Sequence, residues 1–291
     1  MDLGNLDAER VEEIFARHGV ESITLSDAGD DPQLEPGPGD TPLWLESRIS
    51  GLFAAETDFD ALRRDLLVSL KLDALPACVI ENLPDRPWER EWLRYFAPMA
   101  FGQRLWICPG DTRPGADDAV VVRLDPGMAF GTGTHATTAL CLEWLDGLSL
   151  EGRTILDYGC GSGVLAIAAL LLGAESATAV DIDPQALAAS RANAQRNDVS
   201  GRLETVSGDG AINGSFDVVV ANILAVPLVE AADRIASRVK SGCLLALSGI
   251  LSEQVDDVIE AYSTWIIFDE PVLRKQDGQT WARLSGRRIE G

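Results

Sequence analysis

The chain has 291 residues, room for one large and one smaller domain, and its 46% hydrophobic content is that of a protein with a packed core. A formal net charge of −22 repels phosphate backbones, which disfavours direct nucleic-acid binding and makes a basic protein the kind of partner the surface attracts. No apolar run reaches bilayer length, Met1–Asn5 carry no secretory pattern, and Cys78, Cys108, Cys141, Cys160 and Cys243 are scattered without a Cys-x-x-Cys pair, so a reduced, cytoplasmic protein with no membrane span and no metal site is expected.

Val11, Ile14 and Phe15 recur at helical spacing, which predicts an amphipathic helix over 7–18 with Gly19 behind it. His18 ends that helix, where a cation meets the negative end of the helix dipole. Strands are predicted over 22–26 and 42–47, separated by the Pro- and Gly-rich loop 31–40. A helix follows over 58–70 and a strand over 77–81, giving a small α+β module. Residues 1 to 60 hold 15 acids against 3 bases, so the acidity concentrates in this module. Trp88, Trp92 and Phe96 then lie four apart among charges and predict a linker helix over 83–98 with one aromatic face.

The stretch Asp125-Pro126-Gly127-Met128-Ala129-Phe130-Gly131-Thr132-Gly133-Thr134-His135 is rich in glycine and threonine and precedes a helix predicted from about Thr137. Backbone amides and hydroxyls clustered there suit a carboxylate or a closing lid. It lacks the Gly-Lys-Ser/Thr ending of a phosphate loop.

From Thr154 strands and helices alternate. Strands are predicted over 154–158, 176–182, 202–206, 217–223, 243–249, 265–270 and 281–286, with helices over 163–172, 184–196, 226–239 and 252–262. Such alternation gives a parallel sheet covered on both faces, and the helix-free connection 271–279 should make the last strands antiparallel. After the first strand comes Asp157-Tyr158-Gly159-Cys160-Gly161-Ser162-Gly163, three glycines in a tight strand-to-helix turn. The second strand ends in Asp181, placed to accept both hydroxyls of a ribose. Together they predict an adenosine-containing cofactor. Gly161-x-Gly163-x-x-Ala166 also fits the looser dinucleotide fingerprint, which keeps a nicotinamide-dependent oxidoreductase as an alternative. Asp157 argues against it, because a carboxylate repels pyrophosphate but can orient the loop and meet a cationic group. The fourth strand ends in Asn222, a polar side chain at the tip of a buried apolar strand that needs a hydrogen-bond partner, and a substrate group is the candidate.

The Gly-x-Gly-x-Gly loop with its two acids resembles that of class I S-adenosylmethionine-dependent methyltransferases. Ala221-Asn222-Ile223-Leu224 is similar to the Asn-Pro-Pro-Tyr motif of amino-group methyltransferases, with Ile223 and Leu224 in place of the prolines. Together with the 125–135 stretch, Trp88-Glu89-Arg90-Glu91-Trp92 and Arg104-Leu105-Trp106-Ile107-Cys108-Pro109, the chain resembles the PrmA family of bacterial ribosomal protein L11 methyltransferases. That resemblance implies a class I seven-stranded sheet with its last strand antiparallel and a small N-terminal ferredoxin-like recognition domain, here opening almost at its first helix. The implied partition is 1–82, linker helix 83–98 and catalytic domain 99–291. It implies transfer of methyl groups from S-adenosylmethionine to lysine ε-amines and the N-terminal α-amine of the ribosomal protein. A monomer is expected. Cofactor contacts implied by motif position are Thr138, Gly159, Asp181 and Asn222; Asp157, Gly161 and Gly163 of the loop join them, and Asp209, in the Ser-Gly-Asp after the third strand, is added from the sequence as a candidate for the adenine edge. Asn222 is the expected aligner of the amine, Phe130 and Ile223 candidate walls, and His135 a proton relay or a lid residue. A different protein or a small amine as acceptor stays open.

Overall fold

The computed structural model describes residues 1–4, 6–29, 47–82, 97–110, 112, 114, 118–124, 135–208, 210 and 212–290. Residues 83–96 of the predicted linker helix, the 31–40 loop, Phe130 with the rest of the 125–134 stretch, and Asp209 lie outside them. The chain divides into two compact units, Met1–Arg86 and Pro87–Gly291.

In the first unit, helix α1 (Ala8–Arg17) starts at Asp7, whose carboxylate accepts the Glu9 N–H, and ends at His18. His18 does more than cap: its Nε2 lies 3.0 Å from Asp65 of helix α2 (Phe59–Leu70). The strands β1 (Val20–Asp27) and β2 (Ser47–Phe53) pair antiparallel. Val11, Ile14, Phe15, Ile49, Leu62 and Leu66 form the core between sheet and helices. Met1–Leu3 run alongside β2: Ile49 N–H donates to the Met1 carbonyl at 2.9 Å, Leu3 N–H to the Ser47 carbonyl at 2.8 Å, and Asp2 bridges Arg48. A short extended edge thus precedes the first helix, where the sequence suggested none. Residues 77–81, predicted as a strand, form none; Ala77 accepts one bond from Asp2 N–H. Among the described residues this sheet has two strands, so the four-stranded ferredoxin-like arrangement is not seen.

The second unit holds a three-stranded sheet of β3 (Met99–Phe101), β4 (Leu105–Pro109) and β5 (Val120–Leu124), which the sequence reading did not separate. Helix α3 (Ala136–Asp146) follows. The large sheet comprises β6 (Thr154–Tyr158), β7 (Ser176–Asp181), β8 (Leu203–Ser207), β9 (Phe216–Asn222), β10 (Val239–Leu251), β11 (Ile266–Phe268), β12 (Val272–Gln276) and β13 (Gln279–Arg288). Its order is β11-β13-β10-β9-β6-β7-β8, with β12 hairpinned onto β13. β6 to β10 are mutually parallel and β13 is antiparallel to both neighbours, as expected.

Connection 271–279 is corrected: it contains β12. Asp277 and Gly278 take φ 50° and 78°, the paired positive values of a tight two-residue hairpin. The predicted helix 226–239 is two short helices, α6 (Ala225–Glu230) and α7 (Ala232–Ser237), and 239 already belongs to β10. Helices α4 (Val164–Leu171), α5 (Pro184–Arg196) and α8 (Val255–Tyr262) fall where predicted.

Strand alternation builds the two cores. On β9, Val218 and Val220 join the layer of α3, α4 and α5, while Val219 and Ala221 join the layer of α6, α7 and α8. The base of β9 is pinned by Asp217, which accepts from Thr154 N–H at 2.9 Å and from Lys240 Nζ at 2.9 Å. Burial raises the Asp217 pKa, but Lys240 and Thr154 outweigh it and hold it down to about 2. Its folded value lies below its unfolded one, so its stabilisation is complete above about pH 4 and is lost as pH falls towards about 2. Asp217→Asn is therefore expected to lower Tm at pH 7, with the gap to wild type closing on acidification below about pH 4. A gap independent of pH would exclude the ionised pair as its source.

Candidate functional site

Strand order reverses at β6. The chain proceeds outward from β6 through β7 to β8, then returns to place β9 on the other side of β6. The crevice at the carboxyl ends of β6, β7 and β9 is where open sheets of this kind bind ligands. The three glycines, Asp181 and Asn222 converge there, with Asp157 covered beneath the loop.

The glycines are required by geometry. Gly159, Gly161 and Gly163 take φ 76°, 51° and 75°, the left-handed region that side chains resist. A Cβ on Gly159 would strike the Ile223 side chain, and one on Gly163 would lie 2.7 Å from Ser190 Oγ. The loop is tied down from two sides. Gly159 and Cys160 N–H groups donate to the Val180 carbonyl at 2.8 and 2.9 Å, and Gly161 N–H donates to Asp181 Oδ2 at 2.9 Å. From α5, Ser190 Oγ donates to the Gly161 carbonyl and Asn193 Nδ2 to the Ser162 carbonyl, both at 2.9 Å. Asn197 of the same face clasps β5, its Oδ1 accepting from Arg123 N–H and its Nδ2 donating to the Arg123 carbonyl, both at 2.7 Å. Ser190, Asn193 and Asn197 were not singled out from the sequence. Their signal was there: three polar residues on the helix face that periodicity assigns to the core.

Asp181 also accepts Asp183 N–H on Oδ1 at 3.0 Å. Two of a carboxylate's four acceptor positions remain for a ligand.

Asp157 is only 1% exposed. Its Oδ2 accepts Ala166 N–H at 3.0 Å, which fixes helix α4 behind the loop, and its Oδ1 is buried without a partner. Burial above all, with the Asp181 charge adding, pushes its pKa up to about 7 against the pull of that one N–H. The carboxylate therefore supports the loop from beneath; being covered, it does not face the crevice as a direct contact for a cation.

Asn222 ends β9 with Nδ2 donating to Thr138 Oγ1 at 3.2 Å, while its Oδ1 is buried with no partner. An unmet buried acceptor costs about 1–3 kcal/mol, so this oxygen invites a donor. Thr138 is fully buried in the first turn of α3. That helix is capped by His135, whose Nδ1 accepts Thr137 N–H at 3.4 Å and lies 2.8 Å from Thr137 Oγ1. The His135 ring stands edge-on to Trp281 of β13 at 4.5 Å. Burial lowers the His135 pKa, with the Asp277 charge opposing. On the far side of Asn222, β10 bulges at Gly249, φ 88°, where a Cβ would collide with the Ile223 carbonyl. Trp281 and Gly249 were also missed; a glycine inside an apolar strand marks such a close approach.

The arrangement thus offers a glycine loop with a carboxylate at its lip, and opposite it a buried carbonyl oxygen that can accept an N–H. Gly159, Gly161, Gly163, Asp181, Thr138 and Asn222 come together at this crevice, and His135 flanks them. Among the described residues no helix is long and apolar enough to cross a membrane.

The model of the family described as ribosomal protein L11 methyltransferase (PrmA) matches residues 2–289. A ribosomal protein L11 methyltransferase of Klebsiella pneumoniae is 52% identical over 97% of this chain and 95% of its own length. One from Methylococcus capsulatus is 49% identical, again over 97% and 95%. Among solved structures, a ribosomal protein L11 methylase from Lactobacillus delbrueckii subsp. bulgaricus superposes with TM-score 0.60 at 30% identity, covering 67% of this chain and all of that one.

Proposed function

Since the chain belongs to the ribosomal protein L11 methyltransferase (PrmA) family, we propose that it transfers methyl groups from S-adenosylmethionine to amines of ribosomal protein L11. Lysine ε-amines and the N-terminal α-amine are the acceptors this reading names. The observation that carries it is the unpartnered Oδ1 of Asn222 opposite the Gly159–Gly163 loop. An amine that donates one N–H to this oxygen has its lone pair held in a fixed direction.

Bound in the crevice, S-adenosylmethionine supplies an electrophilic sulfonium methyl. The residues do the rest. Asp181 accepts from ribose hydroxyls with its two spare acceptor positions, while the strained glycines let backbone approach closely. Thr138 orients Asn222 through its bond to Nδ2. Ile223, wedged against Gly159, forms one wall; Phe130 is assigned the other, and Asp209 the adenine edge. Keeping a lysine neutral at pH 7 costs about 4–5 kcal/mol. A near-attack geometry contributes about 7–11 kcal/mol, so alignment outweighs deprotonation. With Nδ1 of His135 accepting, the neutral ring carries its proton on Nε2, and its contacts suit capping α3 better than relaying a proton.

The domain assignment in this reading is recognition by 1–82, a linker helix 83–98 and catalysis by 99–291, in a cytoplasmic monomer. The excess of acid in the first 60 residues serves to hold a basic protein. If it does, kcat/KM for the protein substrate falls steeply as salt rises from about 0.01 to 0.15 M, where the screening length shrinks from about 30 to 8 Å. A flat salt profile would remove that role. The cofactor class is tested by calorimetry: binding of S-adenosylhomocysteine without binding of NAD is expected, and the reverse would return the nicotinamide alternative.

A further inference from the structure

The group that the reaction leaves without a task is Asp157. It is a carboxylate beneath the glycine loop, nearly fully covered, with one oxygen unpartnered. Among the described residues no countercharge acts on it. From α4 it receives a single N–H, that of Ala166. β7 contributes another acid, Asp181. From α3 and the loop come Cys141 and Cys160, both thiols that burial pushes up to about 12 and that stay neutral. The cation on β13, Arg283, acts on Cys141 and is not among the charges acting on Asp157. A bare ionised carboxylate in such a place is unfavourable, and protonation is the usual resolution.

We infer that Asp157 is the charge partner of the cofactor at a distance: it is held as the neutral acid while the crevice is empty and surrenders its proton when a cationic ligand enters above the loop. This rests on the cofactor reading of the previous section. The proton leaves Oδ1 or Oδ2 for solvent, and the positive charge of the ligand takes over the balancing of Asp181 and Asp157 together. An opposite charge within about 4–6 Å lowers a carboxylate pKa, and screening is weak where water is excluded. The carboxylate so formed strengthens its bond to Ala166 N–H, which stiffens the loop-to-helix junction on binding.

The test is calorimetry of the full-length protein with S-adenosylmethionine, in pairs of buffers of differing ionisation enthalpy, from pH 5.5 to 7. Below pH 7 the ligand's own α-amine, near 7.7–8.0 in model compounds, stays charged. Since the Asp157 pKa is about 7, release of about half a proton per site is expected at pH 7. Release rises towards one proton at lower pH, and Kd weakens about fivefold from pH 7 to pH 6, steepening towards about tenfold per unit below that. Asp157→Asn is expected to bind with no buffer-dependent heat and a flat pH profile. Infrared difference spectra of wild type decide the matter if that variant does not fold: a protonated-carboxyl carbonyl band should vanish on binding, which no histidine titration produces. Binding with no proton released anywhere in the range overturns the inference while sparing the cofactor reading. So does release unchanged in Asp157→Asn. Failure of both S-adenosylmethionine and S-adenosylhomocysteine to bind overturns both.

Discussion

Asn222→Ala is expected to lower kcat for the protein substrate by about 10²–10³-fold, the cost of removing one fixed polar contact that the reaction geometry uses. The prediction follows from where the side chain sits. Asn222 stands at the end of β9, its amide locked by Thr138 Oγ1 at 3.2 Å and its carbonyl oxygen buried and unsatisfied. The backbone beneath it cannot drift, because Gly249 and the Gly159 loop close on residue 223 from both sides. Folding should survive, since the alanine removes the unmet Oδ1 and sets against it the loss of one bond to the Thr138 hydroxyl. Asn222→Asp separates alignment from electrostatics. A carboxylate keeps an acceptor but favours the protonated amine, so the variant should be slow at pH 7 and recover as pH approaches the amine's own pKa. If Asn222→Asp is instead as fast as wild type at pH 7, Asn222 does not hold a neutral amine.

Asp181→Ala is expected to raise Kd for S-adenosylhomocysteine by about 10²–10³-fold. Two effects add. The carboxylate holds the loop through Gly161 N–H and the following turn through Asp183 N–H, at 2.9 and 3.0 Å. It also retains two acceptor positions for ribose hydroxyls. Hydrogen bonds to a charged group are worth about 1.5–3 kcal/mol each, so loss of two to the ligand alone gives an effect of this size. Asp181→Asn keeps one acceptor oxygen and should lie between the two. Equal affinities in all three proteins would remove Asp181 from the binding site. The fold predicts little loss of stability, because Asp181 is half-buried at a strand tip rather than in the core.

The parts of this site that were legible in the sequence are those whose chemistry is local. Three alternating glycines after an apolar strand have one economical explanation, and an acid at each neighbouring strand tip narrows it. The parts that were not legible depend on contacts between distant segments. Nothing near Trp281 in the sequence says that it meets His135, 146 positions earlier, edge-on at 4.5 Å. The place of Asp157 just before the loop suggests a carboxylate that orients the loop and meets a cationic group, but says nothing of which way the side chain turns. The side-chain alternation of β6 turns it under the loop towards Ala166, where it orients the loop. Ser190, Asn193 and Asn197 show a middle case: their helical spacing put them on the buried face, and polarity there should have signalled that they serve buried backbone groups. The β12–β13 hairpin was overlooked although Asp277-Gly278 is a strong two-residue turn signal. The strand predicted over 77–81 failed for the opposite reason. Its apolar residues had suitable propensity, but tertiary pairing gave them one bond to Asp2 and no ladder.

The measurement that bears most directly on the account is transfer of a deuterium-labelled methyl group from S-adenosylmethionine to purified ribosomal protein L11, read by intact mass and peptide mapping, with wild-type and Asn222→Ala enzyme side by side. The account predicts stepwise labelled-methyl increments on lysine or N-terminal amines with wild type, and a rate lower by about 10²–10³-fold with the variant. No increment on the ribosomal protein from an enzyme that binds S-adenosylhomocysteine, or equal rates from the two enzymes, would contradict it.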